Sequence, residues 1–411
     1  MNYRWHILLA VIFLPLFGQS AESRRLTLEE WLVEATPHHP ALLRAEADVE
    51  ARRLRSEERV VWEDPELRIG NDERPGTRDQ TFVSLRFPIP NLFEEDARSD
   101  ESAARLDLAR AEHRAARRIV REDLGRLYLE AVSGQALLRH ARQRKEAMEA
   151  ELARAREMLK RQRMTRQDVL EMQIDLADAV VELAELEDAA SAAESRMREY
   201  LPDLPPDTEL ELLPAVVNFE GDPPPVAGMS RRIQASDPEL SARLAAVRAA
   251  TAAVSTERAR RIPFPTFAQG TWTRDHNRDQ DEWEFRVGIS VPLFTWIRGT
   301  DPRERAELLI AQSDAGLRRR EVAGLAERIY RDYASSLNQR QALEELLSPV
   351  LDQIRQSLDE PGRQPRPDQR LELADDRYRL QRDLLRAELD YQLAAWALHT
   401  LVWNWEPAGE E

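Results

Sequence analysis

The sequence predicts a mainly α-helical protein with a small transmembrane β-barrel contribution, in which barrel and helical tunnel close only in an oligomer. Three observations predict this fold class. The chain starts like an exported protein, it contains long proline-free stretches with heptad spacing, and it repeats one order of elements twice. That order is helix, strand, strand and long helical hairpin, which amounts to four strands per chain.

The first twenty residues have the layout of a secretory signal peptide. Arg4 and His6 precede an apolar run from Ile7 to Phe17, and small and polar residues follow. The run is too short to span about 30 Å of hydrocarbon. We therefore predict that residues 1–20 are a signal peptide and that the mature chain is exported.

Composition excludes several classes of protein. The 411 residues include no cysteine, which rules out disulfides, thiolate metal sites, cysteine nucleophiles and a lipid anchor on cysteine. The net charge of −16 argues against a nucleic-acid partner, which requires a basic face. The chain carries no phosphate-binding glycine loop, HExxH or G-x-S-x-G motif. We expect neither an enzyme nor a bound cofactor or metal.

Proline positions divide the chain. Prolines cluster between Pro202 and Pro225, whereas none occurs between Pro90 and Pro202. The predicted organisation is a first repeat over residues 21–200, a proline-rich linker over 201–235, a second repeat over 236–405 and a short tail over 406–411.

The helical stretches carry mostly apolar residues, with the exception of Lys145, at alternating spacings of three and four. This spacing is typical of a helix that packs along a partner over many turns. The positions are Leu138, Ala141, Lys145, Met148, Leu152, Ala155, Leu159; Val169, Met172, Leu176, Ala179, Leu183, Leu186, Ala190; and Leu380, Leu384, Ala387, Tyr391, Ala394, Leu398, Leu401. The polar segment from Lys160 to Gln167 separates the first two series and predicts a hairpin tip. A single helix from Asp96 to Leu159 would be about 95 Å long.

The duplication has an offset near 200 residues. In both copies a helix that starts at a proline leads to a short strand, a polar loop, a period-two strand that ends in proline, and a long helix. The matched segments are 40–55 with 238–260, 65–70 with 265–270, 71–80 with 274–281, and 81–88 with 284–292.

The two period-two strands have one apolar and one polar face. Leu85 and Ile289 lie on the apolar faces, while Arg86 and Arg286 lie on the polar faces. The alternation fits a barrel strand between lipid and water, or a half-buried strand of a soluble sheet. In a barrel, Arg86 and Arg286 would face the lumen. Arginine at Leu85 or Ile289 should then cost more stability than arginine at Ser84 or Ser290.

Four strands cannot close a transmembrane barrel, which needs at least about eight strands. After the first twenty residues no segment is apolar over the roughly 20 residues that a transmembrane helix needs. Membrane insertion would thus require an oligomer, with eight strands from two copies or twelve from three.

At this point the order of elements resembles the TolC-type outer-membrane efflux factor family over roughly residues 26–405. The opening Leu26-Thr27-Leu28-Glu29-Glu30-Trp31, the proline-ended strands, and the return turn Thr165-Arg166-Gln167-Asp168-Val169-Leu170-Glu171 resemble family motifs. The resemblance implies a homotrimer in the outer membrane with a periplasmic helical tunnel, docked to a periplasmic adaptor and an inner-membrane pump. The short chain without a lipidated cysteine most resembles the CzcC-like, metal-cation branch.

The tips depart from the family pattern. A glycine commonly precedes the return-turn aspartate by six residues; the first copy has Gln162 there, while the second keeps Gly362 before Asp368. The second tip also contains Pro361, Pro365 and Pro367, which should break its helices sharply.

Candidate site residues lie near these tips. Asp168 and Glu171, with Asp368 and Glu372 as second-copy counterparts, form either an acidic ring that favours cations or ordinary helix-start charges. The basic side chains of the first tip are candidates for adaptor docking or gate salt bridges, or they belong to a solvated loop. These are Arg161, Arg163 and Arg166.

The favoured function is a passive duct that exports small solutes, with metal cations as a candidate substrate. A periplasmic coiled-coil adaptor or structural protein is the alternative. An adaptor should carry one hairpin inserted in a compact β-rich domain, whereas this sequence predicts two hairpins and two strand pairs.

Overall fold

The structure is a computed structural model that describes most of the two repeats. It describes residues 23–57, 63–72, 80–205, 208–215, 217, 233, 235–275, 280–291, 302–359 and 366–402. The predicted signal peptide, most of the proline-rich linker, Pro361 and Pro365 of the second tip, and the predicted tail lie outside these residues.

The order of elements is the predicted one, repeated twice. The first repeat contains α2 (Pro40–Ser56), β2 (Glu66–Asp72), β3 (Gln80–Pro88), α3 (Leu92–Lys160) and α4 (Arg166–Arg198). The second contains α5 (Pro238–Ala259), β5 (Phe264–Asp275), β6 (Gln280–Ser290), α6 (Pro302–Asp359) and α7 (Pro367–Val402). The predicted fold class, with its duplicated strand pairs and helical hairpins, is confirmed.

Three elements add to the predicted order. Strand β1 (Ser23–Leu26) and helix α1 (Leu28–Ala35) precede α2 at the start of the first repeat, and strand β4 (Glu209–Leu212) lies in the predicted linker. Strands β1 and β4 pair in parallel as a separate two-stranded sheet. The sequence analysis did not predict these strands, because four residues are too few to show a clear period of two.

Side chains that cap the first turns determine where several helices begin. Thr27 and Glu30 form a capping box at the start of α1, in which each side chain accepts a hydrogen bond from the other residue's backbone N–H. Asn91 accepts a hydrogen bond from the Glu94 N–H at the start of α3. Helix α3 has 69 residues and therefore extends for about 100 Å.

The predicted heptad positions face other helices. In all three series the side chains are buried or half-buried, with Met148, Ala155 and Met172 among the most enclosed. Helix α3 packs against α4 on one side and α7 on another, while α5 lies between α3 and α6. Over the described part of the chain, none of the helices is long and apolar enough to span a membrane.

The largest apolar cluster surrounds the middle of α3. The Trp31 indole N–H donates to the Leu124 carbonyl at 3.0 Å, and the Tyr128 hydroxyl lies 2.7 Å from the Leu26 and Leu213 carbonyl oxygens. Burial raises the pKa of Tyr128 to about 12. Across the cluster the Trp396 ring covers Gly125, where a Cβ would lie 2.1 Å from the ring. This cluster joins the small β1–β4 sheet to the long helices.

The other sheet has the strand order β2-β3-β5-β6, and all its neighbours are antiparallel. Strand β5 continues to Asp275, so the loop predicted from residue 274 to 281 is shorter than expected. Thr271, Trp272 and Thr273 favour extended backbone, and strands on both sides supply hydrogen-bond partners.

Candidate functional site

The four-stranded sheet separates apolar from polar side chains. Side chains directly opposite each other on paired strands share a face. One face carries Leu67, Ile69, Val83, Leu85, Phe87, Ala268, Gly270, Trp272, Trp283, Phe285 and Val287. Most of its large side chains are exposed, to 81% in the case of Phe285, while Val83 and Trp272 are half-buried. A continuous exposed apolar face of this kind marks a surface that is covered by another protein or by lipid.

The opposite face of the sheet is polar. Glu66, Arg86, Gln269 and Arg286 form one row across the four strands, so the two arginines predicted to correspond do lie together. The Arg286 guanidinium binds the Glu284 carboxylate through two nitrogens at 2.6 and 2.7 Å. Arg86 instead places its guanidinium over the Phe267 ring, 4.1 Å from the centroid.

Ser84 on this face differs from the sequence expectation. Its side chain is only 3% exposed, and its hydroxyl accepts a hydrogen bond from the Gln269 amide at 2.8 Å. Arginine at this position would displace Gln269, so Ser84 is expected to tolerate arginine less well than the sequence suggested. Glu282, which is exposed on the same face, is a better position for that comparison.

At the far end of the helices, the first tip is a tight turn between α3 and α4. Arg161, Arg163 and Arg166 are exposed there, while Met164 is buried against the apolar cluster that contains Met148 and Val169. The turn closes through hydrogen bonds from the Gln162 N–H to the Leu159 carbonyl and from the Arg163 N–H to the Met158 carbonyl, both 2.9 Å.

Gln162 is where the sequence departs from the glycine pattern, and it carries the strain of this turn. Its φ of 56° makes it the one non-glycine residue with a positive φ among those the structure describes. We expect Gln162→Gly to stabilise the protein by about 1 kcal/mol, because glycine adopts this conformation without a Cβ clash. Thermal unfolding of the purified protein checks this, with Gln162→Ala as a control that retains the Cβ. A Gln162→Gly variant that melts no higher than Gln162→Ala would contradict the prediction.

Asp168 caps the helix that begins at this turn. Its carboxylate accepts a hydrogen bond from the Thr165 N–H at 3.0 Å, and its own N–H donates to the Thr165 hydroxyl at 3.2 Å. These hydrogen bonds to the Thr165 backbone and side chain lower the pKa of the Asp168 carboxyl group. Glu171, one turn further on, accepts a hydrogen bond from Gln167 at 3.1 Å.

All four predicted acids line one groove within a single subunit. The acidic groove runs between α4 and α7 with α3 at its floor, and it has a volume of about 470 Å³. Its carboxylates belong to Asp168, Glu171, Asp175, Asp178, Asp368, Glu372, Asp375 and Asp376. These eight carboxylates face two guanidinium groups, those of Arg144 and Arg379, so the groove carries a strong excess of negative charge.

The charge excess affects individual groups. Partial burial and the neighbouring carboxylates of Asp375 and Asp178 raise the pKa of Asp175. Even so, in the described part of the chain no three His, Asp or Glu side chains are arranged to hold a metal ion. The groove can therefore attract cations through its field without a preformed coordination site.

Sequence reasoning missed a polar cluster that links the two hairpins beside this groove. Glu182 of α4 accepts hydrogen bonds from Arg144 of α3 at 2.5 Å and from the Tyr378 hydroxyl of α7 at 2.9 Å. Arg382 also binds Glu182, at 3.2 Å, and Arg144 reaches across to Asp375. Burial raises the pKa of Tyr378 to about 12. The bonded partners lie 38 to 231 positions apart in sequence, so no local pattern connects the helices that supply them.

No protein-family profile and no curated protein sequence matches this chain. Solved structures do match. The outer-membrane channel OprN superposes with a TM-score of 0.67 at 18% identity, covering 91% of this chain and 89% of OprN. CusC, whose crystal structures concern folding and transmembrane channel formation, gives 0.64 at 15% identity, with 91% of both chains covered.

The outer membrane protein VceC of Vibrio cholerae adds a third match, with a TM-score of 0.61 at 16% identity over 91% of this chain and 95% of VceC. This chain has the TolC-type fold. In the TolC-type fold described here, the exposed sheet lies at one end of the long helices, and the acidic groove and first tip lie toward the other.

Proposed function

We propose that the chain is the subunit of a homotrimeric outer-membrane channel, a passive duct and not an enzyme, through which small solutes leave the periplasm. The observation that carries this proposal is the four-stranded sheet, which exposes a continuous apolar face and has a polar face behind it. Lipid on one side and water on the other require this division. Among the described residues each edge strand, β2 or β6, pairs with one strand only.

Three copies would satisfy those edges. Strands β2 and β6 run antiparallel to each other, so β6 of one copy can pair with β2 of the next and close a twelve-stranded barrel. Closure by lateral pairing leaves the polar face inside. This is the wall of a water-filled conduit.

The helices support the same arrangement. Helix α5 is packed on two sides, against α3 and α6, and its buried positions are mostly alanine. Its first-repeat counterpart α2 packs mainly against α3 among the described elements and exposes Leu43 and Leu54. On α6, Leu309, Ile310 and Leu317 are exposed. A second copy that places its α2 against α6 would cover both surfaces, as α5 is covered by α3 within one chain.

Two further parts of the proposal rest on the tips and on the resemblance to the TolC-type family. The exposed arginines of the first tip would dock a periplasmic adaptor, which connects the channel to an inner-membrane pump. The acidic groove favours cationic solutes, and metal cations are the candidate substrate through the likeness to the CzcC-like branch. A coiled-coil adaptor is the competing function, but the two hairpins and the exposed sheet support a channel.

The decisive test of the channel is its behaviour in detergent and in bilayers. The purified mature protein should require detergent, should have the mass of a trimer plus micelle, and should produce stepwise conductance in planar bilayers. A protein that stays monomeric and soluble without detergent would overturn the proposal.

The acidic groove gives a prediction for ion preference. Asp168→Asn with Glu171→Gln should keep the trimer, because neither residue belongs to the α3–α4 heptad series. It should reduce the cation preference and weaken block by multivalent cations, since both depend on negative charge along the conduit. Reversal potentials in a salt gradient measure the effect.

The control for this experiment separates charge from helix capping. Thr165→Ala removes the capping box and should cost about 1 kcal/mol, yet it leaves both carboxylates in place. It should therefore retain wild-type ion preference. If the double variant also has wild-type preference and block, Asp168 and Glu171 serve only the start of α4.

A further inference from the structure

The polar face of the sheet holds one arginine in a stack of three residues. Phe267 lies directly opposite Gly288 on the paired strand, and its ring covers that glycine so closely that a Cβ there would come within 2.1 Å. Arg86 is the diagonal neighbour of Phe267 and places its guanidinium over the ring, 4.1 Å from the centroid. The Phe267 ring, itself packed on Gly288, thus holds the Arg86 guanidinium at the polar face.

The neighbouring charges are compensated, but that of Arg86 is not. Arg286 in the same row binds Glu284, and Arg68 binds Glu66 at 2.7 Å. Within the described ranges no carboxylate forms an ion pair with Arg86. Glu282, an exposed acid of this face, lies two rows further along the strands. In the two rows that contain Arg86 and Ser84, the other charged side chains form ion pairs with each other. Arg86 therefore gives this part of the polar face one excess positive charge.

We propose that Arg86 is an anion-attracting residue of the conduit wall, with Phe267 and Gly288 as the residues that position it. This rests on the proposed function, since three copies are needed to form a ring of guanidinium groups around the lumen. The ligand class is a carboxylate or phosphate group on a passing solute, because the guanidinium edge presents N–H donors that match both. This ring of guanidinium groups is positively charged, whereas the acidic groove is negatively charged. A solute in the duct would therefore pass one region that favours cations and another that favours anions.

The test uses the full mature protein in planar bilayers, with tripolyphosphate as the probe anion. Arg86→Gln should lower the anion-to-cation permeability ratio about twofold and raise the tripolyphosphate concentration for half-block about tenfold. Both differences should disappear at about 1 M salt, where charges are screened within roughly 3 Å. Gly288→Ala should shift both quantities in the same direction by displacing the ring, while Arg86 keeps its charge.

The matched control is Glu284→Gln with Arg286→Gln, which removes a neutral pair from the same face and should leave both quantities at wild-type values. If Arg86→Gln behaves like this control, the proposal is overturned. A second measurement does not require conductance: calorimetric titration of the detergent-solubilised protein with tripolyphosphate. Loss of tripolyphosphate binding in Arg86→Gln supports the anion site even if no variant conducts, in which case only the channel function fails. Equal binding by wild type and Arg86→Gln overturns the anion site.

Discussion

Arginine in place of Leu85 or Phe285 should destabilise the membrane-inserted protein by about 2–4 kcal/mol per subunit, the cost of a charged side chain on the lipid face at the bilayer midplane. The two residues lie in one row across the sheet through Gly270. Unfolding by guanidinium chloride of the protein inserted in lipid vesicles measures the difference in free energy of unfolding between each variant and the wild type.

Two controls belong to the same sheet. Ile289 is on the apolar face, as expected from the sequence, but it lies beside Pro265 at the end of its strand. In contrast to the sequence expectation, arginine there should therefore cost only about 0–1 kcal/mol. Glu282→Arg places an arginine on the polar face and should also cost little. Equal tolerance at Leu85 and Glu282 would refute a lipid-facing role for the apolar side of the sheet.

Removal of the Asp237 carboxylate should have the largest effect on folding, about 3–5 kcal/mol, because two largely buried guanidinium groups lose a fully buried partner. Arg118 and Arg318 are then left with the half-buried Glu239, and Arg318 also with Glu321. The side chain of Asp237 is 0% exposed. It binds Arg118 of α3 at 3.2 Å and Arg318 of α6 at 3.0 Å, and it caps α5 through the Leu240 N–H. One carboxylate thus holds three helices from two repeats.

Asp237→Ala can be compared with two related variants by chemical unfolding in detergent. Asp237→Asn keeps a capping oxygen and should lose less stability. Combining Asp237→Ala with Arg118→Met and Arg318→Met also removes the two guanidinium groups that had lost their buried partner, and it should recover part of the loss. If the triple variant is less stable than Asp237→Ala alone, the cost arises from packing and not from the buried charges.

The strands and the first tip could be predicted from the sequence because each depends on a local pattern of residues. Alternation in Phe82–Phe87 and Phe285–Val291 predicted the paired strands, and the polar break after Leu159 predicted the first tip. The return-turn spacing also located Asp168 and Glu171. What brought them together with Asp368 and Glu372 is the packing of α4 and α7 on either side of α3, which depends on residues 200 positions apart.

The features that sequence missed depend on tertiary partners. Glu182 gains its role only because Arg144, Tyr378 and Arg382 meet it from two other helices. Arg86 and Arg286 look equivalent in the duplicated strands, yet one lies on Phe267 and the other on Glu284. A repeat therefore predicts where a side chain lies, while the neighbours that differ between repeats determine its electrostatic environment.

The pairing of β1 with β4 affects the order in which the protein can mature. Register places Ser23 opposite Glu209, and the Gln135 side chain holds the β4 backbone at Leu210 and Leu212. If the chain is exported across a membrane from its amino terminus, β1 is exported before β4, its pairing partner, which lies 186 residues further along the chain. Contacts between such distant segments close slowly. Ser23–Leu26 should thus be among the last backbone amides to become protected from hydrogen exchange, although they are delivered first, and until then an unpaired strand end is open to chaperones and to other chains.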